Sequence, residues 1–266
     1  MFLTTKEFIY ANDRYFLLRH FGCTVWTRSG RSSEAIESSA HYRRLLSRLR
    51  KAEGLAETGI EARAHVVVDQ IHTDDKTTKA KFDIYEKADW AKGYDVVIHD
   101  ECTSDVKEMP YVENILNAHK NGVAAVNLHC AMHCYRVGTD DWFKFVGIQS
   151  SGHGPQKPID VTYVERDHAI TKGLENWTTI NEELYNNIKL FETAKPLARG
   201  KQDVGNKVDD YVVTWVNQYG KTRVFSTTLG HNSETVGDAR YLDLVTRGLL
   251  WSCDKLNDEY LKAAKK

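Results

Sequence analysis

The sequence lacks the features that would place this chain in a membrane or on nucleic acid. It has 266 residues, and no run of about 18 apolar residues occurs, although a membrane-spanning helix needs roughly 20. Its 36 basic and 37 acidic residues give a net charge of −1. It therefore has no basic excess with which to neutralise phosphates. We expect no membrane partner and no nucleic-acid partner.

Proline and cysteine are also scarce. With four prolines, no internal repeat and no long linker, nothing in the sequence divides it into two domains. The five cysteines have irregular spacings and include no CxxC pair, which argues against a disulfide framework and for a reducing compartment. The N-terminal stretch lacks the apolar segment of a signal peptide. We therefore expect one domain over 1–266 and a cytoplasmic protein, unless an export signal has been removed.

Apolar runs of strand length alternate with helical patterns along the chain. Strands are predicted at 23–26, 65–69, 94–98, 123–128, 159–164, 211–216 and 223–229. Helices are predicted around 42–49, at 111–119 and at 239–252. This alternation predicts an α/β fold with a mostly parallel sheet, to which a late turn adds a C-terminal antiparallel hairpin. Residues 1–21 are expected to form an irregular arm or a short helix, and 257–266 a frayed tail.

Histidines gather where the predicted strands end. His129 follows one strand, His231 follows another, and His153 lies in a Ser-Gly-His-Gly loop. Open α/β sheets bind ligands outside the carboxyl ends of their strands, and imidazole both transfers protons near neutral pH and binds metals. The set therefore indicates acid–base chemistry or a metal site. Since a single histidine is more often a hydrogen-bonded structural residue, that interpretation stays open for each one taken alone.

A second feature of the same region is the spacing of His129 and His133. On a helix the two would share a face and could hold a divalent metal. No Glu follows His129, so the zincin motif is absent. His129 could equally end the strand, which would separate the pair.

Cys130 occupies the place of a nucleophile elbow, between a buried strand and a predicted helix. The glycines that normally flank such a nucleophile are replaced by Leu128 and Met132. A class I glutaminase also has a late His-x-Glu pair, whereas His231 is followed by Asn232 and Ser233. We expect a small buried thiol at Cys130 and no glutaminase activity.

Aromatic residues offer a further candidate surface. Trp142 and Phe145 lie in the segment Asp-Trp-Phe-Lys-Phe and could line a platform for a sugar ring. Such an aromatic stripe more often belongs to the core.

The second half of the sequence resembles the ThuA-like (trehalose utilisation) family. An ordered set of segments carries the resemblance: 126–133 (VNLHCAMH), 142–147 (WFKFVG), 168–173 (HAITKG), 182–185 (EELY), 213–231 and 244–253. The resemblance implies a flavodoxin-like three-layer α/β/α sandwich in the class I glutamine amidotransferase-like superfamily, and a role in sugar or keto-sugar catabolism. Its motif positions in this chain are His129, His168, Glu183, Tyr185 and His231. The loop at 28–33 departs from the glycine- and histidine-bearing loop of the family.

Two hypotheses follow. In the first, the chain acts on a sugar or keto-sugar glycoside, with His129, His231 and Glu183 as catalytic groups in acid–base or metal-assisted chemistry. The partner is then a small-molecule carbohydrate, with a divalent metal as the one cofactor considered and a homo-oligomer as a compatible assembly. In the second, the chain is a non-catalytic sugar-binding or interaction module. Convergence of His129, His153 and His231 within about 5 Å would favour the first. The substrate-binding candidates are Glu101, His153, Tyr185 and Trp142.

Overall fold

The computed structural model describes residues 14–19 and 55–263. Its strands are β1 (Arg14–Arg19), β2 (Val67–His72), β3 (Tyr94–Asp100), β4 (Ala124–Leu128), β5 (Ile148–Gln149), β6 (His153–Tyr163), β7 (Trp177–Tyr185), β8 (Lys189–Leu190), β9 (Lys195–Asp203), β10 (Val208–Tyr219) and β11 (Thr222–Thr227). Its α-helices are α1 (Leu55–Arg63), α2 (Met109–Lys120), α3 (Asp141–Val146), α4 (Ser233–Val236) and α5 (Ala239–Ser252). Two 3₁₀ turns cover Asp83–Glu86 and His129–His133.

The fold is mixed α/β, as the sequence predicts. The described part of the chain contains a nine-stranded sheet in the order β2-β1-β3-β4-β11-β10-β9-β6-β7. Strand β4 pairs in parallel with β3 and with β11. The other neighbouring pairs are antiparallel. The predicted hairpin of β10 and β11 is confirmed, with Tyr219 opposite Thr222, but the prediction of a mostly parallel sheet is wrong.

The reason for that error lies in the segment after β4. A parallel sheet needs a long crossover, usually a helix, between consecutive strands. Here strands β6, β7, β9 and β10 follow one another without an intervening α-helix, and they pair as antiparallel neighbours. Only the centre of the sheet keeps the parallel arrangement that the buried apolar runs predicted.

Apolar residues on the two faces of the central strands enter two separate cores. Val96 and Ile98 of β3 pack in the core that includes Leu249 of α5. Val97, between them in sequence, packs in the other core with Ile115 of α2. Because successive side chains of a strand point to opposite faces, the run Val-Val-Ile is buried on both sides. Burial of each such side chain contributes about 1.5–3 kcal/mol.

Helix α5 lies very close to the sheet. A side chain at Gly248 would place a Cβ 2.4 Å from the ring of Phe225 on β11, so this position of the helix accepts no larger residue without movement. The side chain of Asp238 accepts a hydrogen bond from the backbone N–H of Arg240 and caps the helix. The predicted closing helix at 239–252 is confirmed to the residue.

The structures near the two ends of the described chain differ from those that the sequence predicts. Residues 14–19 form β1, an antiparallel strand between β2 and β3, and not the irregular arm or helix predicted for 1–21. The backbone N–H of His65 donates to the carbonyl of Tyr260 (2.8 Å), and Leu261 bridges to Ala64, so the beginning of the expected frayed tail is held against the end of α1. The predictions for 23–26, 28–33 and 42–49 lie outside the described residues.

None of the helices in the described residues is both long enough and apolar enough to cross a membrane.

Candidate functional site

The site lies where the parallel strands β4 and β11 end side by side, Leu128 opposite Thr227. His129 immediately follows β4 and has φ of 36°. A left-handed conformation is uncommon for a non-glycine residue, and such strain costs about 1–3 kcal/mol and clusters at functional sites. Gly230, with φ of 115°, turns the chain after β11 so that His231 faces His129.

Three side chains converge there. His129 Nε2 lies 3.3 Å from His231 Nδ1 and 3.6 Å from Glu183 Oε2. His231 Nδ1 lies 3.3 Å from the same carboxylate oxygen. Glu183 belongs to β7, at the far end of the sheet order, so the sheet curls to bring β7 over the end of β4. We call His129, Glu183 and His231 the central triad.

The orientation of His129 is fixed by its other nitrogen. Nδ1 lies 2.8 Å from the carbonyl oxygen of Thr228, which can only accept, so Nδ1 carries a proton and donates. In the neutral ring, Nε2 then presents its lone pair to the central triad. The hydroxyl of Tyr185 lies 3.2 Å from that nitrogen.

Two further residues hold His231 and Glu183 in place. Glu182, fully buried, accepts the backbone N–H groups of His231 (3.0 Å) and Asn232 (3.1 Å). The side-chain amide of Gln156 lies 2.9 Å from His231 Nε2 and 3.1 Å from Glu183 Oε1. Sequence reasoning missed both supports. Gln156 lies in a polar stretch of β6 that gives no pattern, and Glu182 was visible only as part of the EELY segment.

The charges of the triad depend on one another. Burial disfavours a charged His129, but the carboxylates of Glu183 and Glu182 outweigh that effect and raise the pKa of His129. Burial alone would raise the pKa of Glu183, yet hydrogen bonds with His129 and His231 hold it well below its usual range. The carboxylate is therefore ionised at neutral pH, and the site is built around a buried negative charge.

One side of the triad opens to solvent. The side chain of His153 is 39% exposed, and its Nε2 lies 3.5 Å from Glu183 Oε2. The side chain of His231 is 17% exposed, whereas that of His129 is only 4% exposed. His153 also stacks on Tyr185, with ring centroids 5.7 Å apart. The histidines at the mouth could contact a bound molecule while His129 forms the floor.

His133 does not join the triad. Its Nε2 lies 2.9 Å from Ser150 Oγ, and its ring stacks on Tyr185 with centroids 4.3 Å apart. Burial, with Arg136 and His129 nearby, lowers the pKa of His133 to about 3. The ring is thus neutral, with one face stacked on Tyr185 and Nε2 beside Ser150. The structure places Glu183 and His231, not His133, beside His129.

Two other candidates lie in the interior. Trp142 is fully buried and donates its ring N–H to the carbonyl of Ala131 (2.8 Å), so the interpretation of this aromatic residue as core fits its place. Glu101 is fully buried beside His99 and Tyr135. Neither side chain can reach a molecule bound at the triad, and we carry neither into the proposed site.

His168, a motif position of the resemblance, also lies outside the triad. Its ring packs against Trp251 with centroids 5.3 Å apart. Its Nδ1 accepts the backbone N–H of Ile170 (3.3 Å). These contacts are those of a structural histidine.

Cys130 is not the small buried thiol that the sequence predicts. It is half-buried and forms a disulfide with Cys102, with Cα atoms 4.9 Å apart. The bond joins the segment after β3 to the turn after β4, two strands that are neighbours in the sheet. Cys102 and Cys130 are therefore paired, which the irregular spacing did not suggest.

We expect no ammonia release from glutamine above the uncatalysed background, because the chain lacks an elbow that could present Cys130 as a nucleophile. The assay should include a dithiol reductant, so that a disulfide cannot be the cause of inactivity. A glutaminase rate in the reduced protein that Cys130→Ser abolishes would contradict this prediction. Reduction removes the disulfide from parent and variant alike, at a cost of about 2–4 kcal/mol of unfolding free energy, so the folding of both should be checked by circular dichroism.

Known proteins share parts of this sequence and of this fold. A family model described as "ThuA: Trehalose utilisation" matches residues 24–252. Comparison with curated proteins gives no match. A crystal structure described as a putative ThuA-like protein from Parabacteroides merdae ATCC 43184 is similar, with a TM-score of 0.52 and 20% identity over 65% of this chain and 73% of that one. Another, from Bacteroides uniformis ATCC 8492, has a TM-score of 0.54 and 20% identity over 64% and 75%. At such identity the two structures show a shared fold only.

Proposed function

This chain belongs to the ThuA family, which is described by trehalose utilisation, and from that premise we propose that it is an enzyme that acts on a sugar or keto-sugar glycoside. The family links the chain to carbohydrates in general. The reaction is assigned here to the central triad. One observation carries the assignment, namely that His129, Glu183 and His231 converge within 3.3–3.6 Å beside an exposed histidine.

The surroundings of the triad suit a polyhydroxylated ligand. Sugar hydroxyls both donate and accept hydrogen bonds, and binding sites for small molecules orient them with a few well-placed polar groups. His153, Gln156 and Asn232 supply such groups on the open side, each of them in contact with the triad or with Glu182. His129 Nε2 and Glu183 Oε2 would then face the reacting atoms. The triad could act on a sugar oxygen in two ways. Either it transfers a proton to that oxygen, or it holds a cation that polarises that oxygen.

The same family membership supports a finer description of the fold. We propose that β3, β4 and β11 form the centre of a flavodoxin-like, three-layer arrangement. The separate cores on the two faces of these strands support it, since one contains residues of α5 and the other residues of α2.

The experiment is a turnover assay with purified protein on a panel of glycosides and their keto derivatives, with products followed by chromatography. We expect conversion of at least one member. His129→Ala and His231→Ala should each lower that rate by about 10²-fold or more, whereas His65→Ala, which removes an exposed histidine outside the site, should leave it unchanged. Unaltered turnover in both triad variants would refute the assignment. Sugar-dependent thermal stabilisation without conversion would instead indicate a binding module.

A further inference from the structure

We propose that the central triad binds one divalent cation of the zinc class, with His129 Nε2, His231 Nδ1 and Glu183 Oε2 as ligands and a fourth position open towards the cleft. The inference deepens the proposed function and rests on it only for the identity of the molecule that would occupy the fourth position. The binding of the cation itself is argued from the geometry of the side chains.

The spacing of the three ligand atoms matches a tetrahedral site. Zinc binds imidazole nitrogen at about 2.0–2.1 Å and carboxylate oxygen at about 2.0–2.2 Å, so the edges of such a tetrahedron measure about 3.3–3.6 Å. The three distances between the ligand atoms are 3.3, 3.3 and 3.6 Å. All three pairs therefore lie at the separation that a single cation in their midst requires. Within the described residues, these are the groups that could hold a metal.

The ligand atoms of His129 and Glu183 belong to side chains whose other polar atom already has a neighbouring hydrogen-bond partner. His129 Nδ1 donates to the Thr228 carbonyl, which leaves Nε2 for a metal. The side-chain amide of Gln156 donates to the distal oxygen of Glu183 (3.1 Å). Metal-binding histidines and carboxylates almost always have such outer partners, which fix the ring orientation and the tautomer. His129 and Glu183 each have one here.

The ligand set is of the open, catalytic type. Structural zinc sites use four protein ligands, often cysteines, whereas catalytic sites use three and leave the fourth to water or substrate. Two imidazoles and one carboxylate form the triad, and Cys130 is held away in its disulfide with Cys102. The neighbours on the remaining side are the Tyr185 hydroxyl and the exposed ring of His153. A sugar oxygen in the fourth position would be polarised by the cation.

The test is a titration of chelator-treated, dialysed protein with Co²⁺, a spectroscopic substitute for zinc, followed by visible absorption and calorimetry. We expect one Co²⁺ per chain with the intense bands of a tetrahedral site, and displacement by Zn²⁺. His231→Ala and Glu183→Gln should each weaken binding at least 100-fold, because each removes one ligand. His65→Ala serves as the matched control and should bind as the parent does. Glu183→Gln keeps the shape of the side chain, which guards against a failure to fold.

Absence of Co²⁺ binding by the folded parent protein, or equal binding by parent and His231→Ala, would overturn the inference. These readouts use no sugar, so they are separate from the turnover assay. Metal binding without turnover of any glycoside would leave the cation site standing and remove the proposed function. Turnover that depends on the triad, in folded protein that binds no Co²⁺, would leave the proposed function standing and remove the cation site.

Discussion

Replacing Glu183 by glutamine is expected to lower kcat/KM for the sugar substrate by about 10²- to 10⁴-fold. The carboxylate contacts His129, His153 and His231 through a single oxygen, at 3.6, 3.5 and 3.3 Å. Glutamine has nearly the same shape, but it brings a neutral amide to a place where positive groups or a cation gather. The variant should therefore keep its fold and lose its chemistry, whichever of the two routes the site uses.

The measurement is kcat/KM on whichever glycoside the parent protein converts, with circular dichroism and thermal unfolding run on the same samples. Glu175→Gln makes the same chemical change at an exposed position and is expected to stay within about twofold of the parent, as surface changes usually do. If Glu183→Gln retained activity within a few-fold of the parent, the carboxylate would have no part in the reaction and the triad would be the wrong centre.

The parts of the fold that sequence predicts well are those with strong local patterns. The closing helix at 239–252 has apolar residues at helical spacing and an acidic cap at Asp238, and its bounds came out as predicted. Strand β4 is a buried run in which Asn127 is the one polar residue, and the sequence predicts it equally well. By contrast, β1 carries Arg at both ends of a run of six residues, and no alternation distinguished it from an arm. Its place between β2 and β3 is decided by partners distant in sequence.

The residues of the site also divide into those that a local sequence pattern predicts and those that it does not. His129 and His231 could be picked from the sequence because each directly follows a predicted strand, and Glu183 because it lies in a segment that resembles a family. That the first two meet follows from the parallel pairing of β4 with β11. The approach of β7 does not follow from any local pattern, since it depends on the curl of the antiparallel half of the sheet. Gln156 was missed for the same reason.

Replacement of Glu101, which the sequence suggests as a substrate-binding residue, is expected to have the largest effect on stability. Glu101 directly follows β3, where a ligand-binding residue is expected, yet it is fully buried. Its Oε1 lies 2.9 Å from His99 Nδ1 and accepts the hydroxyl of Tyr135 at 3.0 Å. His99 Nε2 in turn lies 2.9 Å from Nε2 of His119, also fully buried. The position of a residue directly after a strand does not determine whether its side chain lies in the site or in the interior.

Within this buried network of Glu101, His99 and His119, the hydrogen bond of His119 to a backbone carbonyl determines which atoms donate. His119 Nδ1 lies 2.8 Å from the Val123 carbonyl and must donate to it. Burial, together with His99, holds the pKa of His119 far below its usual value, so its ring is neutral and its Nε2 accepts. His99 must then donate from Nε2. His99 Nδ1 lies 2.9 Å from Glu101 Oε1 and 3.0 Å from the hydroxyl of Tyr85, so Glu101 is one of its two buried partners.

Glu101→Ala should therefore lower the free energy of unfolding by about 3–5 kcal/mol, because it removes a shared buried carboxyl and leaves a cavity. For a chain of this size that corresponds to a fall in Tm of about 6–20 °C. Glu101→Gln keeps an acceptor at the same place and should lose less. The measurement is urea denaturation of the three proteins followed by tryptophan fluorescence, with Glu175→Ala as the exposed control. An alanine variant as stable as the parent would show that Glu101 is not shared by His99 and Tyr135, and its assignment to the interior would have to be abandoned.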